Sequence, residues 1–313
     1  MKRYLVTGGA GFIGSHIVDT LVKDGHFVRV LDNFSSGKSH NLKDVKSKID
    51  LIRGDIRNPN TCLKATKGMD FILHQAALRS VPKSFLNTGE YNDININGTL
   101  NLLKAAVKNK VKVFVFASSS SVYGDVRHFP EKEDFSLQPI SPYALTKLAG
   151  EHYCRIFSSN YGLATVCLRY FNVFGPRQSL DDEYAGVIPK FISYLLNNRP
   201  PPIYGTGRQS RDFTYVDNVV SANILATKLQ NAKGEIFNIG CGRPRTILSL
   251  AAALNKIMRK NIKPIFLPPR PGDVFKTQAD ITKVKKILGF QPKTDFNKGL
   301  KLTVEWFLEC AKE

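Results

Sequence analysis

The sequence predicts an α/β fold in which a doubly wound parallel sheet is joined to a smaller C-terminal α+β lobe. In the first half of the 313-residue chain, short apolar runs alternate with helical patterns, as βαβ units around a parallel sheet do. A glycine-rich turn separates the first apolar run from the first helical pattern. After Gly175-Pro176 the regular alternation ends, and short strands, helices and loops follow.

The elements of the first half can be placed one by one. We predict strands over residues 4–7, 27–31, 51–53, 71–74, 111–117 and 165–170, each bounded by Gly, Asp, Asn or Ser. We predict helices over residues 11–24, 91–109 and 142–160, the two longer ones with apolar residues at helical spacing. We therefore assign residues 1–172, together with about 212–240, to the sheet domain. Residues 173–211 and 241–313 are assigned to the smaller lobe.

The composition excludes several classes of protein. The 45 Lys and Arg residues outnumber the 26 Asp and Glu residues, but they are spread singly, so we expect a solvated basic surface and no nucleic-acid partner. No apolar stretch approaches the ~18 residues of a membrane span, and the N-terminus lacks a signal-peptide core, so we expect no membrane partner. The five cysteines are scattered and the six histidines show no paired spacing, which predicts a cytoplasmic location and no metal site.

The glycine-rich turn carries the strongest local signal. Gly8, Gly11 and Gly14 follow the first predicted strand and open the first predicted helix. Glycines at this spacing allow a tight turn, close approach of a pyrophosphate and packing of the helix on the sheet. Asp32 ends the second predicted strand, where a carboxylate accepts hydrogen bonds from ribose hydroxyls and repels a 2′-phosphate. The sequence therefore predicts a Rossmann-type dinucleotide site that prefers NAD to NADP.

A second group of residues indicates acid–base chemistry. Tyr143 and Lys147 are four residues apart, so they share one face of the predicted helix 142–160. A cationic lysine beside a phenol favours the phenolate, so we expect Lys147 to lower the pKa of Tyr143 and make it a base for an alcohol. Four consecutive serines, beginning at Ser118, follow the predicted strand 111–117, at the sheet edge where ligands bind.

Taken together, these motifs resemble the extended short-chain dehydrogenase/reductase superfamily and, within it, the nucleotide-sugar 4-epimerases. The resemblance runs nearly from end to end. It includes, besides the motifs above, Asp55-Ile56, His74-Gln75-Ala76-Ala77, Asn95-Ile96-Asn97-Gly98-Thr99, Arg169-Tyr170-Phe171-Asn172, Arg211-Asp212-Phe213 and Arg270-Pro271-Gly272-Asp273.

The resemblance implies a role for each matching residue. Tyr143 matches the catalytic base, Lys147 its activating lysine, and Ser119 the serine that holds the sugar 4-oxygen. The cofactor-binding set is Gly8, Gly11, Phe12, Ile13, Gly14, Asp32, Asn33, Asp55, Ile56, Gln75, Ala76, Ala77, Arg79, Asn95, Tyr143 and Lys147. The substrate-binding set is Ser80, Ser119, Ser120, Asn172, Val187, Tyr204, Arg211, Arg270, Asp273 and Thr277. The sheet domain would bind NAD and the smaller lobe a UDP-sugar.

The chemistry that the resemblance implies is a transient oxidation at C4 of the sugar, with tightly held NAD regenerated in each turnover. Thr277 falls where the family limits the space beside the sugar 2-substituent, and a small residue there leaves room for an acetamido group. We therefore expect interconversion of UDP-GlcNAc and UDP-GalNAc, together with UDP-glucose and UDP-galactose.

Three alternatives remain open. The enzyme could be a UDP-glucose-only 4-epimerase or a UDP-glucuronate 4-epimerase, since uronate epimerases share a serine-rich loop. A non-catalytic dinucleotide-sensing protein on the same fold is the alternative from a different class. The resemblance also implies a homodimer, in which residues 91–109 and 142–160 of each subunit form a four-helix bundle.

Overall fold

The computed structural model describes residues 1–179, 186–269 and 274–311. Its first half contains β1 (Arg3–Thr7), α1 (Phe12–Lys23), β2 (Phe27–Asp32), β3 (Asp50–Arg53), α2 (Pro59–Thr66), β4 (Phe71–His74), α3 (Val81–Leu86), α4 (Thr88–Tyr91), α5 (Gly98–Lys108), β5 (Val113–Ser119), α6 (Pro142–Tyr161) and β6 (Ala164–Tyr170). A π-helical segment, Asn92–Asn97, joins α4 to α5, so the helix predicted over 91–109 is one helical run with a wider turn inside it.

The second half consists of shorter elements. These are β7 (Val173–Phe174), α7 (Val187–Leu196), β8 (Pro202–Tyr204), β9 (Ser210–Arg211), β10 (Thr214–Tyr215), α8 (Val216–Ala226), β11 (Lys233–Ile239), β12 (Arg245–Thr246), α9 (Ile247–Met258), β13 (Ile265–Leu267), α10 (Thr282–Leu288) and α11 (Phe296–Cys310). Apart from β11, the strands of this half form two-stranded sheets. No helix in the described ranges is long and apolar enough to cross a bilayer.

A seven-stranded parallel sheet organises the molecule, in the order β3-β2-β1-β4-β5-β6-β11. Every residue of β4 and β6 is buried, because helices cover both faces of the sheet. The predicted α/β fold class is confirmed. The edge strand β11 lies in the segment 212–240, so the chain returns to the first sheet after β7–β10.

The sheet reverses its winding direction between β1 and β4, and this reversal positions the site. The connection from β1 runs to β2 on one side, while β4 continues to β5 on the other. A crevice therefore opens beyond the carboxyl ends of β1 and β4, where doubly wound sheets bind their ligands. The glycine-rich turn, the serine run and the N-terminus of α6 all meet at this edge.

Candidate active site

Two adjoining cavities open at this edge of the sheet. Fifteen of the predicted cofactor residues line the first cavity: Gly8, Gly11, Phe12, Ile13, Gly14, Asp32, Asn33, Asp55, Ile56, Gln75, Ala76, Ala77, Arg79, Tyr143 and Lys147. Five of the predicted substrate residues line the second cavity: Ser119, Ser120, Asn172, Arg211 and Thr277. Arg79 and Tyr143 line both cavities, so the candidate base lies where the two spaces meet.

The glycine-rich turn leaves no room for side chains. Gly8 has a φ of +66°, and a Cβ there would lie 2.8 Å from the backbone N of Ala76. A Cβ on Gly14 would collide with the carbonyl oxygen of Gly8. These glycines bring the backbone of β1, α1 and the residues after β4 into direct contact. The surface formed by Gly8, Gly11 and Gly14, the glycine cradle, allows a pyrophosphate to approach the backbone closely.

The N-terminus of α1 faces the first cavity. Its N-cap residue is Gly11, whose lack of a side chain leaves the first amide groups uncapped, and the first turn carries no acidic residue. Phe12 and Ile13 of this turn line the cavity. The partial positive charge of a helix N-terminus and its unpaired N–H groups favour an anion such as a pyrophosphate.

Asp32 lies at the far end of the first cavity, and its carboxylate is held by the backbone. It accepts hydrogen bonds from the N–H of Ala10 (2.9 Å) and from the N–H of Phe34 (2.8 Å). Each oxygen keeps a further lone pair for a ribose hydroxyl. Asn33 donates to Asp55 (2.9 Å), and the Arg57 guanidinium lowers the pKa of Asp55 to about 2. The glycine cradle, the helix N-terminus and this anchored acid together fit a dinucleotide.

Tyr143 is positioned by the first turn of α6. Ser141 caps the helix by accepting a hydrogen bond from the N–H of Ala144 (3.1 Å), and Pro142 occupies the first helical position. Burial raises the pKa of Tyr143, whereas a hydrogen bond with Ser119 and the charge of Arg79 lower it. The phenol therefore lies in hydrogen-bonding contact with the end of β5, the strand on which Ser119 is the last residue.

Lys147 lies on the same face of α6 as Tyr143, and its ammonium reaches β5. Its ammonium donates to the carbonyl oxygen of Ala117 (2.8 Å) and lies 5.9 Å from the centre of the Tyr143 ring. Burial lowers the pKa of Lys147 to about 8, and Ser119 and Arg79 lower the pKa of Tyr143. The expectation that Lys147 also lowers the pKa of Tyr143 stays a prediction.

A buried ion pair supports the strand that carries Ser119. Glu151, two turns along α6 from Tyr143, pairs with Arg169 on β6 through two hydrogen bonds of 2.9 and 2.8 Å. Ser118 donates to the same carboxylate. The pair connects β5, β6 and α6 at the level of the site, so it sets the distance between the serine run and Tyr143.

Thr277 forms part of the wall of the second cavity and is held by its neighbours. Its hydroxyl accepts hydrogen bonds from the side chain of Asn172 (2.9 Å) and from the N–H of Asp212 (3.2 Å). Arg211 reaches this wall from β9, and its guanidinium donates to the carbonyl of Ser210 (3.0 Å). A small side chain at position 277 therefore also orients Asn172, which the sequence did not indicate.

Four of the predicted residues lie outside the cavity walls. The side chain of Asn95 is buried and bonds to the backbone N–H and carbonyl of Leu78, so it holds the loop that carries Arg79. Ser80 caps α3, Tyr204 lies beside Lys190, and Val187 begins α7. The binding roles of these four residues stay predictions. Arg270 and Asp273 lie outside the described residues.

The structure also adds wall residues that sequence reasoning missed. Gln178 lines the second cavity, and its side-chain oxygen is buried without a hydrogen-bond partner among the described residues. Glu131 lines the same cavity, and burial raises its pKa to about 7. Arg177 and Ser179 line the first cavity. Arg177, Gln178 and Ser179 directly follow Gly175-Pro176 in the sequence. We interpreted that dipeptide only as the end of the regular alternation of strands and helices, and so missed the wall residues after it.

No metal-binding cluster of His, Cys, Asp and Glu occurs in the described part of the chain.

The amino-acid sequence matches the model of a known protein family. Residues 4–240 match the family described as "NAD dependent epimerase/dehydratase family", which is most of the chain. The chain belongs to this family. It is therefore an enzyme whose cofactor is NAD, and the glycine cradle, the helix N-terminus and Asp32 are the features of its structure that fit this cofactor.

Solved structures of relatives cover nearly the whole chain. A UDP-N-acetylglucosamine 4-epimerase from Methanobrevibacter ruminantium M1, in complex with UDP-N-acetylmuramic acid, is 42% identical, with a TM-score of 0.95 and 99% of each chain covered. A UDP-glucose 4-epimerase from Thermotoga maritima, with UDP-glucose, is 40% identical, with a TM-score of 0.93 and coverage of 98% and 99%. A UDP-glucuronic acid 4-epimerase from Bacillus cereus, with UDP-glucuronic acid and NAD, is 35% identical, with a TM-score of 0.92 and coverage of 99% and 100%.

Proposed function

We propose that this family member epimerises UDP-hexoses at C4, interconverting UDP-GlcNAc with UDP-GalNAc and also UDP-glucose with UDP-galactose. The relatives described above act on UDP-sugars, which supports the substrate class. The observation that carries the finer proposal is the wall of the second cavity at Thr277. A small, firmly held side chain stands there.

The residues at the junction of the two cavities would perform the acid–base steps. Tyr143 would remove the proton from the sugar 4-hydroxyl and return it after the carbonyl has formed. Ser119 would hold the same oxygen by a hydrogen bond, and Arg79 would stabilise the phenolate through its charge. When bound, NAD would supply the hydride acceptor for C4 and the donor from which the hydride returns to the opposite face of the sugar carbonyl. Lys147, bonded to the Ala117 carbonyl, would hold α6 at the end of β5.

The smaller lobe would bind the rest of the substrate. Arg211 would donate charge-assisted hydrogen bonds to the diphosphate. Asn172 would bind the substrate in the orientation that its hydrogen bond to Thr277 sets. From the resemblance alone, we propose that Arg270 also donates to the diphosphate, with Asp273 beside it. Because the hydride returns to the carbon that donated it, the cofactor is regenerated and can remain bound through many turnovers.

The first test is an NMR assay of the purified protein without added cofactor. UDP-GlcNAc, UDP-glucose and UDP-glucuronate are supplied separately, and the C4 epimers are resolved. Conversion of UDP-GlcNAc at least as fast as UDP-glucose supports the proposal. Turnover of UDP-glucose or UDP-glucuronate alone would retain the mechanism and contradict the role of Thr277. No epimer from any of them, with NAD supplied, would contradict the 4-epimerase proposal.

We further propose that the enzyme is a cytoplasmic homodimer. Leu145 and Ile156 lie on one face of α6 and are 53% and 48% exposed, which is unusual for apolar residues of a long helix. Cys62, Cys154, Cys167 and Cys241 form no disulfide in the described part of the chain, as a reducing compartment allows. Replacing Ile156 by Glu is expected to convert a dimer into a monomer in sedimentation velocity, whereas a wild-type monomer would contradict the proposal.

A further inference from the structure

The segment of residues 172–179, which follows β6, is a wall shared by both cavities. Arg177 and Ser179 face the first cavity, whereas Asn172, Val173 and Gln178 face the second. Any displacement of this segment therefore changes the shape of both spaces together. Its position is consequently important for holding the cofactor as well as the substrate.

The backbone of this segment is not in a relaxed conformation. Asn172 has a φ of +34° and Arg177 a φ of +66°, both in the left-handed region that side chains other than glycine rarely adopt. Such conformations persist where surrounding contacts enforce them, and they concentrate at functional sites. The contacts that hold the segment in place can be identified.

Two side chains of α1 hold the segment. The Nε2 atom of His16 lies 3.0 Å from the carbonyl oxygen of Pro176, and because a carbonyl only accepts, the ring nitrogen must donate. One turn further along α1, Asp19 forms an ion pair of 2.7 Å with the guanidinium of Arg177. The side chains of Arg177 and Asp19 are 17% and 32% exposed, so water screens this pair only in part.

We propose that Asp19 and Arg177 are positioning residues that retain NAD by fastening residues 172–179 to α1. Helix α1 is the element whose N-terminus faces the first cavity, so the ion pair connects the wall of that cavity to its anion-binding end. Release of the cofactor then requires the segment to separate from α1. Retention suits an enzyme whose cofactor is regenerated in every turnover. The inference depends on NAD as cofactor and not on the identity of the sugar.

The test measures how fast bound NAD leaves the holoenzyme. Protein loaded with NAD is rapidly desalted, and the NAD remaining on it is quantified by chromatography over time. Asp19→Asn removes the ion pair without altering a residue that lines either cavity. We expect NAD dissociation to become about tenfold faster, the factor that corresponds to losing about 1.4 kcal/mol of interaction in the bound state.

A matched pair elsewhere in the sheet domain provides the control. Arg29 and Asp50 also form an ion pair of 2.7 Å, with side chains 15% and 40% exposed, and they line neither cavity. Asp50→Asn is expected to leave the dissociation rate unchanged. Equal acceleration by Asp19→Asn and Asp50→Asn would show a general loss of stability and overturn the proposal.

A second variant separates positioning from direct contact. Arg177→Met removes the other partner of the ion pair, and we expect the double variant with Asp19→Asn to lose NAD no faster than Arg177→Met alone. If Arg177→Met accelerates release while Asp19→Asn does not, Arg177 contacts NAD directly and the positioning role is refuted. Failure of the proposed sugar specificity would appear in the NMR assay and leave these rates unaffected.

Discussion

Replacing Arg169 by Met tests the buried ion pair beneath the serine run. The side chains of Arg169 and Glu151 are 1% and 2% exposed, so neither charge is solvated in the folded enzyme. The guanidinium donates twice to Glu151 and once to the hydroxyl of Tyr123 (2.9 Å). Methionine fills much of the volume but offers no donor, so the carboxylate of Glu151 stays buried with Ser118 as its remaining partner among these groups.

The expected loss of folding stability in Arg169→Met follows from this geometry. Removing one partner of a buried pair costs about 3–5 kcal/mol because the other charge is left uncompensated. Replacing both partners by apolar residues removes that penalty, so Arg169→Met combined with Glu151→Leu is expected to cost less than the single change. The single change would consume a large part of the about 5–15 kcal/mol by which folded proteins are usually stable.

Urea denaturation of the NAD-free protein measures this cost. Lys301→Met is the control, because the pair of Lys301 with Glu305 is 69% and 48% exposed and is expected to contribute less than about 0.5 kcal/mol. A loss below about 1 kcal/mol for Arg169→Met would refute the reasoning, since it would mean that water reaches Glu151 or that its charge is neutralised. A double variant less stable than the single one would contradict it equally.

Four further predictions concern the site. Tyr143→Phe is expected to lower kcat by about 10²–10⁴-fold, the usual contribution of a positioned acid–base group, while the content of bound NAD stays unchanged in chromatography of the denatured protein. Gly14→Ala is expected to abolish NAD retention, because its Cβ would collide with the carbonyl of Gly8; NAD content equal to wild type would contradict the cradle. Thr277→Tyr is expected to reduce kcat/KM for UDP-GlcNAc relative to UDP-glucose by about 10-fold or more, and an unchanged ratio in competition assays would refute the steric argument. Burial raises the pKa of Glu131 from 4.5 to about 7, so the folded state binds a proton that the unfolded state lacks between these values; stability should therefore fall as pH rises through this range, and Glu131→Gln should remove that part of the slope in thermal unfolding.

The sheet and the glycine-rich turn could be predicted because their signals are local. Strand β4 was placed at its observed bounds, since three successive apolar residues followed by His74, between polar neighbours, describe a strand buried on both faces. Strand β5, predicted over 111–117, instead spans Val113–Ser119, because parallel pairing with β6 continues through Ser118 and Ser119. Polar hydroxyls do not mark the end of a strand when a neighbouring strand supplies hydrogen-bond partners.

The roles of the side chains were harder to predict than their positions. The spacing of Tyr143 and Lys147 placed them on one face of α6, as the structure shows, but it could not indicate which partner the ammonium would take. That partner, the carbonyl of Ala117, comes from another element of the fold. Similarly, Asn95 matched a cofactor motif, and its amide holds the Leu78 backbone.

By itself the sequence determined the doubly wound sheet, the glycine cradle, the acid at position 32 and the alignment of Tyr143 with Lys147. Each depends on neighbours within a few residues or on one strand–turn–helix unit, so periodicity and spacing express it directly. Only the tertiary structure decided that Thr277 orients Asn172, that Arg79 acts on Tyr143 and that Asp19 holds Arg177. These contacts join residues 60 or more positions apart, and a charge or hydroxyl leaves no periodic trace of a partner that folding alone brings within hydrogen-bonding distance.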